Sequence, residues 1–368
     1  MNISKMTFRR SGDWLWATIV LMLSAFGLLM IYSASAVRSY DAFGTNSYYL
    51  WRQIWWFAFG IIAFLITANI NYRFWRTISW QLIVINIILL IIVFIPGFGS
   101  SIGGATRWFR IGDFYFQPSE MAKLTFLIYL AAWLDKKGEM IRDFKSGFLP
   151  FITAVALMVV LIIKQPDMGT TVVLMAAAAV VLFLSGATFS HLFLGLMGTG
   201  LIFLLLIKSV PYRFERLMTF LNPGQEALSS GYHILQSLIA VGSGGLWGVG
   251  FGQSRQKFLY LPQAETDSIF AIIGEELGFI RTAIFILVFV VLIFRGLKIS
   301  RQAPDRFGQL LAAGIVSWIA IQFFVNICAM LGLLPLTGVP LPFISYGGSS
   351  LFFLLAASGI VFNISKNK

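Results

Sequence analysis

Long apolar runs alternate with brief polar interruptions along almost the whole chain. A bilayer core about 30 Å thick takes roughly 20 apolar residues per helix. On that measure the pattern predicts ten spans: Leu15–Ser35, Arg52–Ala68, Ile78–Ile95, Pro118–Leu134, Phe148–Ile163, Thr170–Ser185, Leu192–Lys208, Ser268–Phe294, Gln309–Leu331 and Phe343–Ile364. The expected fold is an all-α polytopic membrane protein, a single integral membrane domain over residues 1–368. One interruption breaks the rhythm, about Ser209 to Asp267, between the seventh and eighth spans. Loops beyond about 15 residues are usually functional or disordered. This one carries an apolar helical stretch, Tyr232–Val241, and then Gly242, Gly244, Gly245, Gly248, Gly250 and Gly252. A partly re-entrant extracytoplasmic loop over an outward-facing cavity is expected, because backbone at membrane depth is tolerated only where protein or water satisfies it.

Charge supplies the orientation. With the N-terminus inside, the cytoplasmic segments hold Lys5, Arg9, Arg10, Arg73, Arg76, Lys136, Lys137, Arg142 and Lys145, then Arg295, Lys298, Arg301, Arg306, Lys366 and Lys368. The outer segments, the long loop aside, hold only Arg38, Arg52, Arg107, Arg110 and Lys164. That asymmetry places both termini on the cytoplasmic side of the cell membrane. Composition agrees: 58% hydrophobic against 11% charged residues excludes a soluble domain. The net charge of +12 reads as orientation and contact with anionic membrane lipids, not as a nucleic-acid surface. The first span follows basic residues as a signal peptide would, but its apolar run is long and no clear cleavage pattern follows, so it reads as an anchor. A single Cys328 forms no internal disulfide, and His191 and His233 lack partners at metal-ligand spacing.

Candidate chemistry gathers at the outer segments. Arg107 and Arg110 follow the Gly103–Gly104 pair and read either as an anion site or as an interfacial anchor. Glu120 and Lys123, three residues apart, share one helix face inside the fourth span, as an ion pair at a site or a purely structural one. At the start of the eighth span Thr266 or Asp267 suits an N-cap. Glu275 and Glu276 lie deeper, and Glu276 has Arg281 below it as a candidate partner. The last outer loop, Pro335–Ser350, has no charges, three prolines and paired glycines; its hydroxyls, Ser345 among them, either line a cavity or accompany close packing.

The runs Gly104–Trp108, Gln117–Lys123, Tyr260–Gly278 and Pro335–Ser350 resemble the signature segments of the SEDS family, the FtsW, RodA and SpoVE group of shape, elongation, division and sporulation proteins. Ser254–Pro262 is more similar to the FtsW and SpoVE branch than to RodA, and the resemblance runs from the first helix to the last. It implies a peptidoglycan glycosyltransferase that polymerises lipid II, a disaccharide peptide on undecaprenyl pyrophosphate, outside the cytoplasmic membrane alongside a class B penicillin-binding protein. By motif position Asp267 matches the family's essential aspartate, and Glu120 and Lys123 its paired acid and base. The chain departs from the pattern at Glu265, where the family usually has His, and at Ser268, where it usually has Phe.

In the implied reaction a sugar 4-hydroxyl attacks the anomeric carbon of the growing chain, with Asp267 as general base. Arg107, Arg110, Lys123, Arg213, Arg216 or a bound divalent cation would stabilise the departing pyrophosphate, and Glu275, Glu276 and Ser345 complete the candidate substrate contacts. No Rossmann fingerprint or Asp-x-Asp triplet is present, in keeping with a lipid-linked donor. The alternatives are a lipid II flippase or other transporter, and a non-catalytic scaffold for the penicillin-binding protein. Glu265 either faces the cavity, where it raises one apparent pKa of a carboxylate pair, or points to solvent or a partner chain.

Overall fold

The computed structural model describes residues 11–102, 105–112, 114–208, 218–220 and 230–367. Its helices are α1 (Trp14–Phe43), α2 (Tyr48–Asn69), α3 (Arg73–Thr77), α4 (Ser79–Ile92), α5 (Pro118–Lys137), α6 (Leu149–Ile163), α7 (Met168–Leu184), α8 (Phe189–Lys208), α9 (Ser230–Ser243), α10 (Ile269–Arg301), α11 (Arg306–Met330) and α12 (Gly348–Lys366). Each of the ten apolar windows coincides with one of these helices. Six segments among the described residues are long and apolar enough to cross a bilayer: α1, α2, α6 with its preceding π-helical turn, α10, α11 and α12. Several starts follow from local chemistry. Asp13, Asp167 and Asp305 cap α1, α7 and α11 by accepting from Trp16, Thr170 and Gly308 N–H groups. Pro118 opens α5 where its missing N–H is not needed.

Two apolar helices differ sharply in what surrounds them. The apolar window of α12 is 89% buried and that of α11 72%, against 22% for α2 and 28% for α10. The first two therefore form the protein core, and the outward faces of α2 and α10 supply much of the lipid-facing surface. At the end of the bundle that carries the chain start, ion pairs hold α12 in place. Arg295 donates to Asp13 at 2.7 Å, whose N–H in turn donates to Ser365 Oγ. Asp305 accepts from Tyr72 Oη at 2.7 Å and Arg73 Nε at 2.8 Å, while Asn363 bridges Tyr72 and Ala68.

The opposite end departs from an all-helical description. Three strands, β1 (Gly99–Ile102), β2 (Ala105–Ile111) and β3 (Phe114–Phe116), form an antiparallel sheet in the order β1-β2-β3. The sheet docks on the bundle where Ser349 Oγ accepts from Gln117 N and donates to Tyr115 O.

The eighth apolar window is also not a continuous rod: α10 breaks at Gly278, whose φ of 74° and ψ of 177° are non-helical. Backbone groups freed by the break are paired with the glycine-rich segment that precedes it. Val249 N donates to Glu275 O at 3.0 Å and Gly250 N to Glu276 O at 3.1 Å, while Phe279 N donates to Gly245 O at 2.8 Å. A Cβ at Gly278 would overlap the Gly248 backbone, so the close approach needs glycine there. The glycine-rich segment thus pairs its backbone with the broken helix. Within the long loop α9 covers the predicted Tyr232–Val241 stretch.

Candidate active site

Asp267 lies immediately before α10, between the proline loop of residues 335–346 and the face of α11. Its backbone carbonyl accepts from Asn326 Nδ2 at 2.8 Å, and its Oδ1 accepts from Thr266 Oγ1, also at 2.8 Å. Its Oδ2 faces Gly338, where an added Cβ would sit 3.6 Å from the oxygen. Ser345 Oγ donates to Thr266 O, and Tyr346 N donates to Glu265 O at 2.8 Å. Ser345 therefore pins the strand of chain that presents Asp267. The N-cap expected at Thr266 or Asp267 falls instead on Ser268, which makes no capping bond because its hydroxyl donates to Pro262 O. That hydroxyl also meets His233 Nε2 at 2.5 Å.

Buried carboxylates at this end are otherwise already partnered. Lys123 Nζ lies 2.8 Å from Glu120 Oε1, with both residues buried; the nitrogen also donates to Gln322 Oε1 and sits 5.1 Å from the Trp318 ring centre. Asp167, which the sequence reading passed over, accepts from Gln117, Ser119 and the Thr170 N–H. Its signal was the spacing of an acidic residue one position before an apolar helix. Among the described residues, Asp267 is the buried carboxylate with neither a cation nor a backbone N–H as partner.

Glu275 and Glu276 are held by the chain's own groups. Both are buried, and they lock the preceding loop to α10: Glu275 accepts from Ser254 Oγ and Arg255 N, and Glu276 from Ser33 Oγ, Ser254 N and Lys257 Nζ. These contacts tie α10 to the preceding loop and, through Ser33, to α1. The expected Glu276–Arg281 pair is replaced. Arg281 donates to Trp247 O, and Glu276 pairs with Lys257 at 3.3 Å.

Glu265 is not solvated. Only 3% exposed, it pairs with Arg38 of α1 at 2.6 Å beside a cavity of about 210 Å³ that Lys257 also lines. Burial pushes its carboxyl above the usual range; Arg38 pulls the other way, and the charge of Asp267 adds to the rise.

Arg107 and Arg110 both lie on β2, Arg107 at the point where the register slips between the Ser100–Trp108 and Ser101–Thr106 pairs, and they make separate contacts. Arg107 stacks over Trp108 at 4.4 Å, and the exposed Arg110 donates to Gly112 O. Arg213 and Arg216 lie outside the described residues. Among the described residues no cluster of three His, Cys, Asp or Glu side chains is placed to hold a metal ion, and His191 stacks on Phe148.

Residues 13–368 match the family model for FtsW, RodA and SpoVE, described as "Cell cycle protein". The chain is 45% identical to Stage V sporulation protein E of Bacillus subtilis over 361 residues, covering 98% of both chains. It is 40% identical to a probable peptidoglycan glycosyltransferase FtsW of Trichlorobacter lovleyi, covering 99% of this chain and 96% of that one. Among solved structures, a chain from "Structural coordination of polymerization and crosslinking by a peptidoglycan synthase complex" superposes with a TM-score of 0.80 at 27% identity, over 96% of this chain and 97% of that one. Rod shape determining protein RodA of Thermus thermophilus gives 0.71 at 25% identity, over 96% of each chain. A helical membrane bundle with a buried aspartate beside a proline loop, and full-length likeness on both sequence and structure, converge on one assignment: the chain belongs to the FtsW, RodA and SpoVE family of cell cycle proteins.

Proposed function

We propose that this protein is a peptidoglycan glycosyltransferase that polymerises lipid II into glycan strands on the outer face of the cytoplasmic membrane. The observation that carries the reading is the state of Asp267. A general base must be free to accept a proton, and every other buried carboxylate described at this end is held by a cation or a backbone N–H. Asp267 takes the proton of the attacking sugar hydroxyl. Lys123 and the sheet arginine Arg107 supply positive charge toward the departing pyrophosphate. The ten helical windows then cross the bilayer as one domain with both termini in the cytoplasm, and a class B penicillin-binding protein is the partner that crosslinks the product.

Reconstitution with fluorescent lipid II and such a partner tests this. Long glycan product is expected. Lipid II that crosses vesicles without being joined would identify a transporter instead, and no change in lipid II at all would leave the chain as a scaffold.

A further inference from the structure

Two side-chain amides on one face of α11 link the buried ion pair of α5 to the segment that carries Asp267. Trp318, Gln322 and Asn326 follow one another at intervals of four, so they stack along a single stripe of the helix. Gln322 is fully buried. Its Oε1 accepts from Trp318 Nε1 at 2.7 Å and from Lys123 Nζ at 3.1 Å, and its Nε2 donates to Pro340 O at 2.9 Å. Asn326, one turn on and 1% exposed, gives both amide protons to backbone carbonyls, Asp267 O and Val339 O, each at 2.8 Å. The two amides therefore grip the consecutive carbonyls 339 and 340 of the proline loop, and Asn326 fastens that loop to Asp267.

Geometry explains why the grip matters. Gly338, one residue before the gripped carbonyls, is the group against which Asp267 Oδ2 lies. Among the described residues the carboxylate has no cation to orient it, and the hydroxyl that donates to it belongs to Thr266, its chain neighbour, which moves with it. Its position is therefore set by the backbone, and the backbone at that point is held from the side by Asn326. A buried amide whose protons are both used in this way is costly to replace, since its loss leaves two carbonyls without donors.

We propose that Asn326 is a positioning residue for the glycosyltransferase reaction, holding Asp267 against the proline loop, and that Gln322 ties the same loop to Lys123. This rests on the reading of Asp267 as the base. The amide protons of Asn326 go to backbone carbonyls, one of them that of Asp267, so it acts on the rate through Asp267. Misplacing a catalytic group by a fraction of its hydrogen-bond length slows the chemical step and leaves ground-state binding in place.

The test is steady-state polymerisation of fluorescent lipid II by the full-length protein with its penicillin-binding partner. Asn326→Leu keeps side-chain volume and removes the amide. The expected result is a fall in kcat of at least about fivefold with KM within about twofold of the unmodified protein. Rates are taken per protein that elutes folded and binds lipid II, so that lost active protein does not enter kcat; a smaller fall, or a KM shifted beyond that range, overturns the proposal. If Asn326→Leu does not survive purification, Asn326→Ser is measured against the same two outcomes. Asp267→Asn is assayed alongside. If it polymerises normally, the assignment of the base is wrong; if it is inactive while Asn326→Leu turns over normally, only the positioning role fails.

Discussion

Replacing Lys123 with methionine should destabilise the protein more than most core substitutions of its size. The ammonium sits 2.8 Å from Glu120 Oε1, and the side chains are 2% and 5% exposed. At an effective dielectric of about 20 the gross attraction at that separation is about 6 kcal/mol. Most of it is offset by the cost of removing both charges from water. Deleting one partner keeps the cost and loses the attraction, which typically amounts to about 3–5 kcal/mol. Lys123→Met also strips Gln322 Oε1 of one donor and leaves Glu120 Oε2, already without a partner among the described residues, beside an unpaired Oε1. With an unfolding entropy of about 2.1 cal/mol/K per residue, a 368-residue chain loses about 1.3 °C for each kcal/mol, so the thermal midpoint should fall by about 4–6 °C. Fluorescence-detected size-exclusion after graded heating measures it in detergent. The double variant Glu120→Gln/Lys123→Met removes both charges and should recover most of the loss. A single variant within about 1 °C of the unmodified protein, or a double variant no better than the single, would refute the idea that the two charges depend on each other.

Three further outcomes follow. Glu265 has a folded-state pKa raised above the reference of 4.5, so the stability it contributes is present below that value and lost as pH rises through the folded one. Glu265→Gln should therefore flatten the decline of the thermal midpoint above pH 4.5; an unchanged slope counts against it. Because the same change removes a negative charge near Asp267, the acid limb of kcat/KM should move to lower pH, and superimposable profiles would show the two carboxylates to be uncoupled. Gly278→Ala places a Cβ at positive φ against the Gly248 backbone, so it should cost about 1–3 kcal/mol or more and speed proteolysis of the 244–257 loop, checked by limited digestion in nanodiscs.

The helices were legible because each needs a long apolar run and nothing else in the chain supplies one. Asp267, Glu120 and Lys123 were legible from motif position, and the i,i+3 spacing predicted the ion pair that the structure shows at α5. The three-stranded sheet was missed although its signals were there: aromatic and β-branched residues in short runs, split by Gly103–Gly104 and by Gly112–Asp113. Reading it as a loop hid the contacts of Arg107 and Arg110, which the strand sets over Trp108 for Arg107 and against Gly112 O for Arg110. The partners of Glu265 and Glu276 could not have been found locally. Arg38 is 227 residues from Glu265, and Ser33 is 243 from Glu276. Proximity to Arg281 suggested a pair along the helix, but the break at Gly278 ends the helical register between those two positions. The role of Asn326 was hidden for the same reason: an asparagine in an apolar helix reads as a tolerated polar residue until the carbonyls it holds are in view.

Polymerisation of lipid II by the purified protein carrying Asp267→Asn, beside the unmodified protein and in the presence of the same penicillin-binding partner, bears most directly on the central assignment. The amide keeps the shape of the carboxylate and its contact with Thr266 but cannot accept a proton at neutral pH. No glycan strands from a variant that elutes as a folded protein and still binds lipid II is the predicted result; strands formed at the unmodified rate would contradict it.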